Sequence, residues 1–171
     1  QPFNMTPDPR FFYFSKKHED ALSNLLFGIS ERKGFITITG EIGTGKTTLC
    51  RLLLNRLDKK IKTSLIFNPN LTTIELLQAI NQDFGIESKS ISKKELVDAL
   101  NAFLLGVLKR GDNAVLIIDE AQNLTPECLE EVRMLSNLET DRDKLLQIIL
   151  VGQPELRKKL ELERLKQLNQ R

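Results

Sequence analysis

The stretch 34–50, G-F-I-T-I-T-G-E-I-G-T-G-K-T-T-L-C, decides the fold of this chain. Its β-branched beginning, Phe35 to Thr39, is typical of a buried strand. Residues 40–47 then match the phosphate-binding loop pattern G-x-x-x-x-G-K-[ST] at every fixed position. Residues 48–57 continue as a leucine-rich amphipathic helix. A strand, a glycine-rich loop and a helix in this order indicate a nucleotide site rather than a glycine-rich turn that a lysine happens to follow.

Each residue type in this loop has a physical reason to be there. Glycines let the backbone adopt positive φ and approach a phosphate without an intervening Cβ, and the loop N–H groups and the helix dipole attract the anion. The Lys46 ammonium can reach the β- and γ-phosphates, and the Thr47 hydroxyl is a natural Mg²⁺ ligand. The predicted nucleotide-binding residues of the loop are Gly40, Glu41, Ile42, Gly43, Thr44, Gly45, Lys46, Thr47 and Thr48.

A second motif places two carboxylates after another strand. Residues 115–118, V-L-I-I, are all apolar, as in a central parallel strand that is buried on both faces. Open α/β sheets bind ligands at the carboxyl ends of such strands, where Asp119 and Glu120 follow. We expect Asp119 to hold Mg²⁺ through a water and to orient Thr47, and Glu120 to act as general base for the attacking water. The alternative for Glu120 is an acid favoured by the dipole at the start of a helix.

A third apolar strand, Leu145 to Val151, is followed by Gln153. The Gln153 side chain can sense the γ-phosphate or position the water, or it can cap the helix that begins at Pro154. Hydrolysis also needs a cation for the developing charge, commonly an arginine that a neighbouring subunit supplies. The candidates are Arg171 and Arg164 on the terminal helix and, less well placed, Arg133 and Arg142.

The remaining segments alternate between strand and helix patterns. A second strand is predicted over Ile61 to Phe67. We expect helices from Ser15 to Arg32 and from Pro126 to about Leu138, and a final helix from Pro154 to the end of the sequence. Such alternation predicts a doubly wound parallel sheet flanked by helices. Thr72-x-x-Glu75 and Ser92-x-x-Glu95 are predicted capping boxes, each at the start of an apolar helical pattern. Thr125 is predicted to cap the helix that begins at Pro126.

The first fifteen residues combine prolines with an aromatic patch at 11–14, F-F-Y-F. The prolines oppose regular structure, whereas the aromatic side chains favour burial. We expect an ordered arm that lies across the domain. Tyr13 or a neighbour either packs against an adenine ring or fastens the arm to the core.

Composition bounds the class of protein. A chain of 171 residues with 40% hydrophobic and 28% charged residues is expected to form one globular domain. Its net charge of +2 is too small to indicate nucleic-acid or membrane binding. Cys50 and Cys128 are predicted to be reduced and at least half-buried, and His18 alone cannot form a metal site. No membrane span or signal peptide is visible, and the chain is expected to be a piece of a longer protein.

Several stretches together resemble the ExeA/GspA family, general secretion pathway protein A. The resemblance covers nearly the whole chain, and its 119–124 and 151–156 blocks, D-E-A-Q-N-L and V-G-Q-P-E-L, are more specific than the phosphate loop. The stretches that carry the resemblance are residues 7–22, 34–49, 116–124, 130–140 and 147–156.

The resemblance implies an AAA+ ATPase that binds ATP or ADP with Mg²⁺ and assembles into a nucleotide-dependent homo-oligomeric ring. It implies that Gln153 is at the sensor-1 position and that 168–171 leads into the segment holding an arginine finger, which favours Arg171. Residues 1–33 would be an arm and a helix, and residues 34–171 the P-loop core. The helical lid with its sensor-2 arginine is absent from the sequence.

Members of this family are inner-membrane proteins with the ATPase on the cytoplasmic side. A transmembrane segment and a periplasmic peptidoglycan-binding domain follow, and a GspB-type partner acts with them to assemble the type II secretion secretin. The resemblance therefore implies a Mg²⁺-dependent ATPase that powers assembly of this export machinery, with no nucleic-acid partner.

Two other readings remain open at this stage. ATPases of the transposition (TniB-like) class share these motifs and would make the chain a DNA-directed ATP switch, but a DNA binder is expected to carry a basic stripe. A P-loop GTPase would show an N-K-x-D motif for guanine, which the sequence lacks. A P-loop kinase would need an acceptor pocket, for which no sequence feature is visible.

Overall fold

The computed structural model describes residues 16–41 and 45–169. Within these residues the strands are β1 (Phe35–Thr39), β2 (Ile61–Ile66), β3 (Asn113–Ile118) and β4 (Gln147–Gly152). The α-helices are α1 (Lys16–Ser30), α2 (Lys46–Arg56), α3 (Thr73–Phe84), α4 (Lys93–Lys109), α5 (Pro126–Leu135) and α6 (Glu155–Asn169), and a 3₁₀ turn covers Ala121–Asn123.

The described strands form one parallel sheet in the order β1-β4-β3-β2. Thr39 at the end of β1 is opposite Gly152 at the end of β4. Ile118 at the end of β3 is opposite Leu150 of β4 and Ile66 of β2. Because all neighbours run in the same direction, the segments that follow these strands emerge at one edge of the sheet.

Helices cover both faces of the sheet, which confirms the doubly wound arrangement. Leu116 and Ile118 of β3 face one core, which they share with apolar residues of α3, α4, α5 and α6. Val115 and Ile117 face the other core, which they share with residues of α1 and α2. All four of these strand side chains are fully buried. The all-apolar run after residue 114 thus has the two-sided burial expected of a central parallel strand.

The helix caps follow the sequence with one difference. The Thr72 hydroxyl accepts from the Glu75 amide and the Glu75 carboxylate accepts from the Thr72 amide, a complete capping box. Ser92 accepts from the Glu95 amide, but the Glu95 carboxylate instead accepts from the Ser90 hydroxyl at 2.5 Å. The nearby serine therefore takes the carboxylate that a reciprocal box would use.

Several predicted boundaries differ from the structure by one to three residues, and three of them have a local cause. Helix α1 ends at Ser30 rather than Arg32, because Arg32 adopts a left-handed φ of 54° that cannot continue a helix. Strand β4 begins at Gln147 rather than Leu145, since the Leu145 amide donates to Leu138 in the preceding connection. Helix α5 ends at Leu135 rather than Leu138, and the Leu138 carbonyl instead accepts this hydrogen bond from the Leu145 amide.

Both cysteines are buried free thiols, as predicted. Burial is the main cause that raises the pKa of the Cys50 thiol, and the nearby Asp119 carboxylate acts in the same direction. In the described part of the chain, every helix is too short or too polar to span a bilayer.

Candidate active site

The described residues of the phosphate loop, the two carboxylates after β3 and Gln153 lie at the edge where β1, β3 and β4 end. The Gly40 amide, just after β1, donates to the Gly152 carbonyl at the end of β4 over 3.1 Å. The Asp119 amide, just after β3, donates to the Ile66 carbonyl of β2 over 2.8 Å. These bonds extend the sheet pairing by about one residue, so that the phosphate-loop segment and the two carboxylates lie on one continuous edge.

Lys46 is held inside this edge. Gly45 precedes α2 in the left-handed conformation with φ 85°, which favours glycine. The Lys46 side chain is 6% exposed, and its Nζ donates to the carbonyls of Gly40 at 2.6 Å and Glu41 at 2.8 Å. Burial lowers its pKa, and the carboxylates of Glu120 and Asp119 oppose that shift. A buried ammonium that is held by backbone carbonyls is well suited to a phosphate anion.

Thr47 and Asp119 are in direct contact. The Thr47 hydroxyl donates to Asp119 Oδ2 at 2.8 Å, and Asp119 Oδ1 accepts from the Glu120 amide at 2.9 Å. Asp119 is 1% exposed, and burial raises its pKa against the opposing effect of these two hydrogen bonds. A hydroxyl and a carboxylate side by side are hard oxygen donors of the kind that Mg²⁺ prefers, so these two residues fit that ion.

Glu120 occupies a strained position between β3 and the 3₁₀ turn. Its φ of 55° and ψ of 39° lie in the left-handed region, which is uncommon for a residue with a side chain. Among the described residues, its side chain makes no capping hydrogen bond to that turn. Its carboxylate instead accepts from the Gln122 amide nitrogen at 2.5 Å. Glu120 thus directly precedes a 3₁₀ turn of only three residues, and its carboxylate does not cap that turn.

Gln122 is the polar residue that motif reasoning missed. Its Oε1 accepts from the Gln153 backbone amide at 3.0 Å, while its Nε2 donates to Glu120. Its own carbonyl and that of Leu124 accept hydrogen bonds from Lys159 Nζ on α6. The signal was present in the D-E-A-Q block at 119–122, but no spacing rule assigns a role to the fourth residue of that block.

Gln153 lies where the sequence placed it, at the edge after β4, and is half-buried. Its carbonyl accepts from the Leu156 amide at 2.9 Å, and α6 begins at Glu155, so it also precedes a helix start. The structure brings Gln153 close to Glu120 through Gln122, a link that does not use the Gln153 side chain.

The candidate arginines are spread over the chain. Arg133 donates to both carboxylate oxygens of Glu130, with the shorter distance at 2.7 Å. That hydrogen bonding is the main cause that raises the pKa of Arg133. Arg142 is exposed in the segment before β4, and Arg164 is exposed on α6.

Part of the predicted site lies outside the described residues. This applies to the loop tip, to the aromatic residue of the arm and to the preferred arginine finger: Ile42, Gly43, Thr44, Tyr13 and Arg171. Of the other loop residues, Gly40, Gly45 and Thr48 are buried and Glu41 is exposed.

Asp119→Asn is expected to stabilise the ligand-free chain at neutral pH. An asparagine can accept from the Glu120 amide and contact Thr47 without a buried charge. Because the folded-state pKa of Asp119 is raised, the gain from asparagine is complete above that pKa and is lost as pH falls through it. Thermal melts from pH 8 to pH 4 measure it, since about 1 kcal/mol corresponds to roughly 2–4 °C in Tm at this size.

The matched control is Asp141→Asn, which neutralises an exposed carboxylate. It should leave Tm nearly unchanged across the same pH range. Two results would contradict the burial argument. One is an Asp119→Asn chain that is no more stable than the parent at pH 8, and the other is a stability difference from the parent that grows as pH falls.

Comparisons with known proteins identify a relative over nearly the whole chain. The chain is 44% identical over 171 residues to general secretion pathway protein A of Aeromonas hydrophila, covering 99% of this chain and 31% of that protein. The predicted family resemblance is thereby confirmed, and the chain spans about a third of that relative's length.

Solved structures give the fold. Cdc6p from Pyrobaculum aerophilum matches 87% of this chain and 44% of its own with a TM-score of 0.64 at 22% identity. ORC2 of Aeropyrum pernix, in its ADPNP-ADP complexes, matches 84% of this chain and 43% of its own with a TM-score of 0.58 at 18% identity. The AAA domain family model matches residues 29–160. Since that match covers well over half of the chain, the chain belongs to the AAA domain family of P-loop, ATPase-type proteins.

Proposed function

We propose that this chain is the Mg²⁺-dependent ATPase unit of a bacterial secretion protein, which binds ATP at the edge of the sheet and hydrolyses it. The observation that carries the proposal is the set of Lys46 and Thr47 at the start of α2 and Asp119 and Glu120 after β3, in which Asp119 accepts from the Thr47 hydroxyl and from the Glu120 amide. Its members come from two motifs that are about 70 residues apart in the sequence. Their convergence is what a phosphoryl-transfer site requires.

Nucleotide binding is assigned to residues 40–48. Lys46 exchanges its carbonyl partners at Gly40 and Glu41 for phosphate oxygens, which favours its charged form. The start of α2 directs backbone N–H groups and a positive dipole end at the same place. The ORC2 neighbour was solved with ADPNP and ADP, which supports ATP and ADP as the ligands. Tyr13 as an adenine contact stays a prediction.

Thr47 and Asp119 would hold Mg²⁺, Thr47 directly and Asp119 through a water. When bound, the ion neutralises charge on the β- and γ-phosphates. The Thr47–Asp119 hydrogen bond at 2.8 Å keeps the two oxygen donors together before any ligand arrives. Burial disfavours the charged form of Asp119, and a bound cation would stabilise that charged form.

Hydrolysis is assigned to Glu120, Gln153 and an arginine from a neighbouring subunit. Glu120 accepts the proton of the water that attacks the γ-phosphorus. Glu120 follows β3 at the edge of the sheet, and its carboxylate does not cap the 3₁₀ turn. Gln153 is the sensor-1 residue that contacts the γ-phosphate or the water. Arg171 is the preferred finger, which makes a homo-oligomer part of the active unit.

The wider role follows from the relative. Its name, general secretion pathway protein A, supports a place in an export machinery, and we propose assembly of the type II secretion secretin as the process powered. In this proposal residues 1–33 form an arm and helix, and residues 34–171 form the P-loop core on the cytoplasmic side of an inner-membrane protein. A GspB-type protein and peptidoglycan are partners through parts beyond this chain.

Lys46→Ala is expected to remove detectable nucleotide binding. Hydrogen bonds to charged groups contribute about 1.5–3 kcal/mol each, so loss of two phosphate contacts weakens affinity by at least about 100-fold. Titration with a fluorescent ATP analogue measures this. Lys94→Ala, which removes an exposed lysine paired with Asp98 on α4, is the control with the same change of charge. Tight binding by a folded Lys46→Ala chain would refute the loop assignment.

Glu120→Gln is expected to keep ATP binding and to slow turnover. A positioned general base contributes about 10²–10⁴-fold to rate, and glutamine cannot accept the proton. Steady-state phosphate release and equilibrium binding are both measured in the intact protein. Glu87→Gln, in an exposed loop, should behave as the parent. An unchanged rate in Glu120→Gln would remove Glu120 from the mechanism.

Specific activity is expected to rise with protein concentration if Arg171 acts across subunits. Turnover of Mg-ATP by the intact protein is measured over a wide range of concentration, with and without duplex DNA. A rate that rises with concentration and ignores DNA agrees with the secretion proposal. A flat rate would remove Arg171 as a finger supplied by a neighbour, and stimulation by DNA would favour the transposition class instead.

A further inference from the structure

Gln122 lies between the proposed base and the strand that ends in the sensor residue. Its side-chain amide contacts Glu120 through Nε2 at 2.5 Å and the Gln153 backbone amide through Oε1 at 3.0 Å. No role in binding or hydrolysis has been assigned to it by the motifs. It does not belong to the set of residues that would contact phosphate or Mg²⁺.

The orientation of this amide is fixed by chemistry. A backbone N–H can only donate, so the Gln153 amide requires the oxygen of the Gln122 side chain. The NH₂ group must then point to the other side, where the Glu120 carboxylate can only accept when ionised. One glutamine thus satisfies a donor and an acceptor that face each other across the loop, which neither a carboxylate nor an apolar side chain can do.

The surroundings hold Gln122 in this place. A Cβ at Gly152 would lie 2.7 Å from Gln122 Oε1 and 3.2 Å from its backbone nitrogen, so the glycine makes room for the amide. In addition, Lys159 Nζ donates to the carbonyls of Gln122 and Leu124. The backbone of the 3₁₀ turn is therefore fastened to α6 while the side chain reaches back to the end of β4.

Glu120 needs such support. Its side chain has rotamer freedom to lose, and it extends from a left-handed residue between a strand and a short turn rather than from a regular element. Its neighbour Asp119, by contrast, is fixed by Thr47 and is almost fully buried. A misplacement of about 1 Å in a reacting group can reduce rate by roughly 100-fold.

We infer that Gln122 is a positioning residue. Its side-chain NH₂ orients the Glu120 carboxylate for hydrolysis, and its side-chain oxygen holds the Gln122 amide against the Gln153 backbone at the end of β4. The inference rests on the proposed function, because it acts through Glu120. It assigns binding and turnover to different contacts: Gln122 affects the rate of the chemical step and not the affinity for nucleotide.

The test uses two substitutions of Gln122 that distinguish its contact to Glu120 from its contact to the Gln153 amide. Gln122→Glu keeps an oxygen for the Gln153 amide but replaces the donor to Glu120 with an acceptor. Gln122→Met keeps the length and removes both contacts. Both variants are expected to lower kcat by about 10-fold or more in the intact protein, with the dissociation constant for ATP within about 3-fold of the parent. Gln82→Glu on α3 is an exposed control with the same chemical change.

The outcomes distinguish the inference from its alternatives. If Gln122 only braces β4, Gln122→Glu retains parental kcat and only Gln122→Met loses activity, which overturns the inference. In a Glu120→Gln background, Gln122→Glu should cause no further loss, because the residue acts through Glu120. Additive losses would also overturn it. Should Glu120→Gln itself keep the parental rate, the proposed function of Glu120 fails first, which is a separate result.

Discussion

The parallel pairing of β1, β4 and β3 is the constraint on which the rest of the site depends. It brings the segments after these strands to one edge, where the Gly40 amide donates to Gly152 and the Thr47 hydroxyl donates to Asp119. The second contact joins residues that are 72 positions apart in the sequence. An antiparallel or shifted strand would separate the phosphate loop from the carboxylates, since a register slip also turns every side chain to the opposite face.

At the same edge of the sheet, burial disfavours the charged forms of two ionisable side chains. Burial lowers the pKa of Lys46 and raises that of Asp119, so both shifts favour the neutral forms. Glu120 adds a left-handed backbone to these unfavourable features. A fold that served only stability would avoid all three, whereas a phosphate and a divalent cation would stabilise both charges at once. Perturbed groups of this kind cluster at functional sites.

Sequence reasoning reached the parts of this architecture that depend on local pattern. The β-branched run at Phe35–Thr39, the all-apolar run before Asp119 and the Thr72 capping box all lie where they were expected. It failed where a hydrogen bond falls outside the spacing of the motif. Ser90 takes the Glu95 carboxylate that Ser92 would have shared. The role of Gln122 depends on an amide 31 residues away, and no local period encodes such a contact.

The residues proposed for nucleotide binding and the residue proposed as general base are held by different contacts. Lys46, Thr47 and Asp119 are held by the start of α2 and the end of β3, elements whose apolar faces are buried in the sheet. Glu120 is held by a side-chain amide, which in turn depends on the end of β4 and on Lys159 of α6. Under the proposed function, a displacement of α6 would therefore alter the position of the proposed base through these contacts, whereas Lys46 and Thr47 begin a different helix. Nucleotide binding and the chemical step would then depend on different elements of the fold.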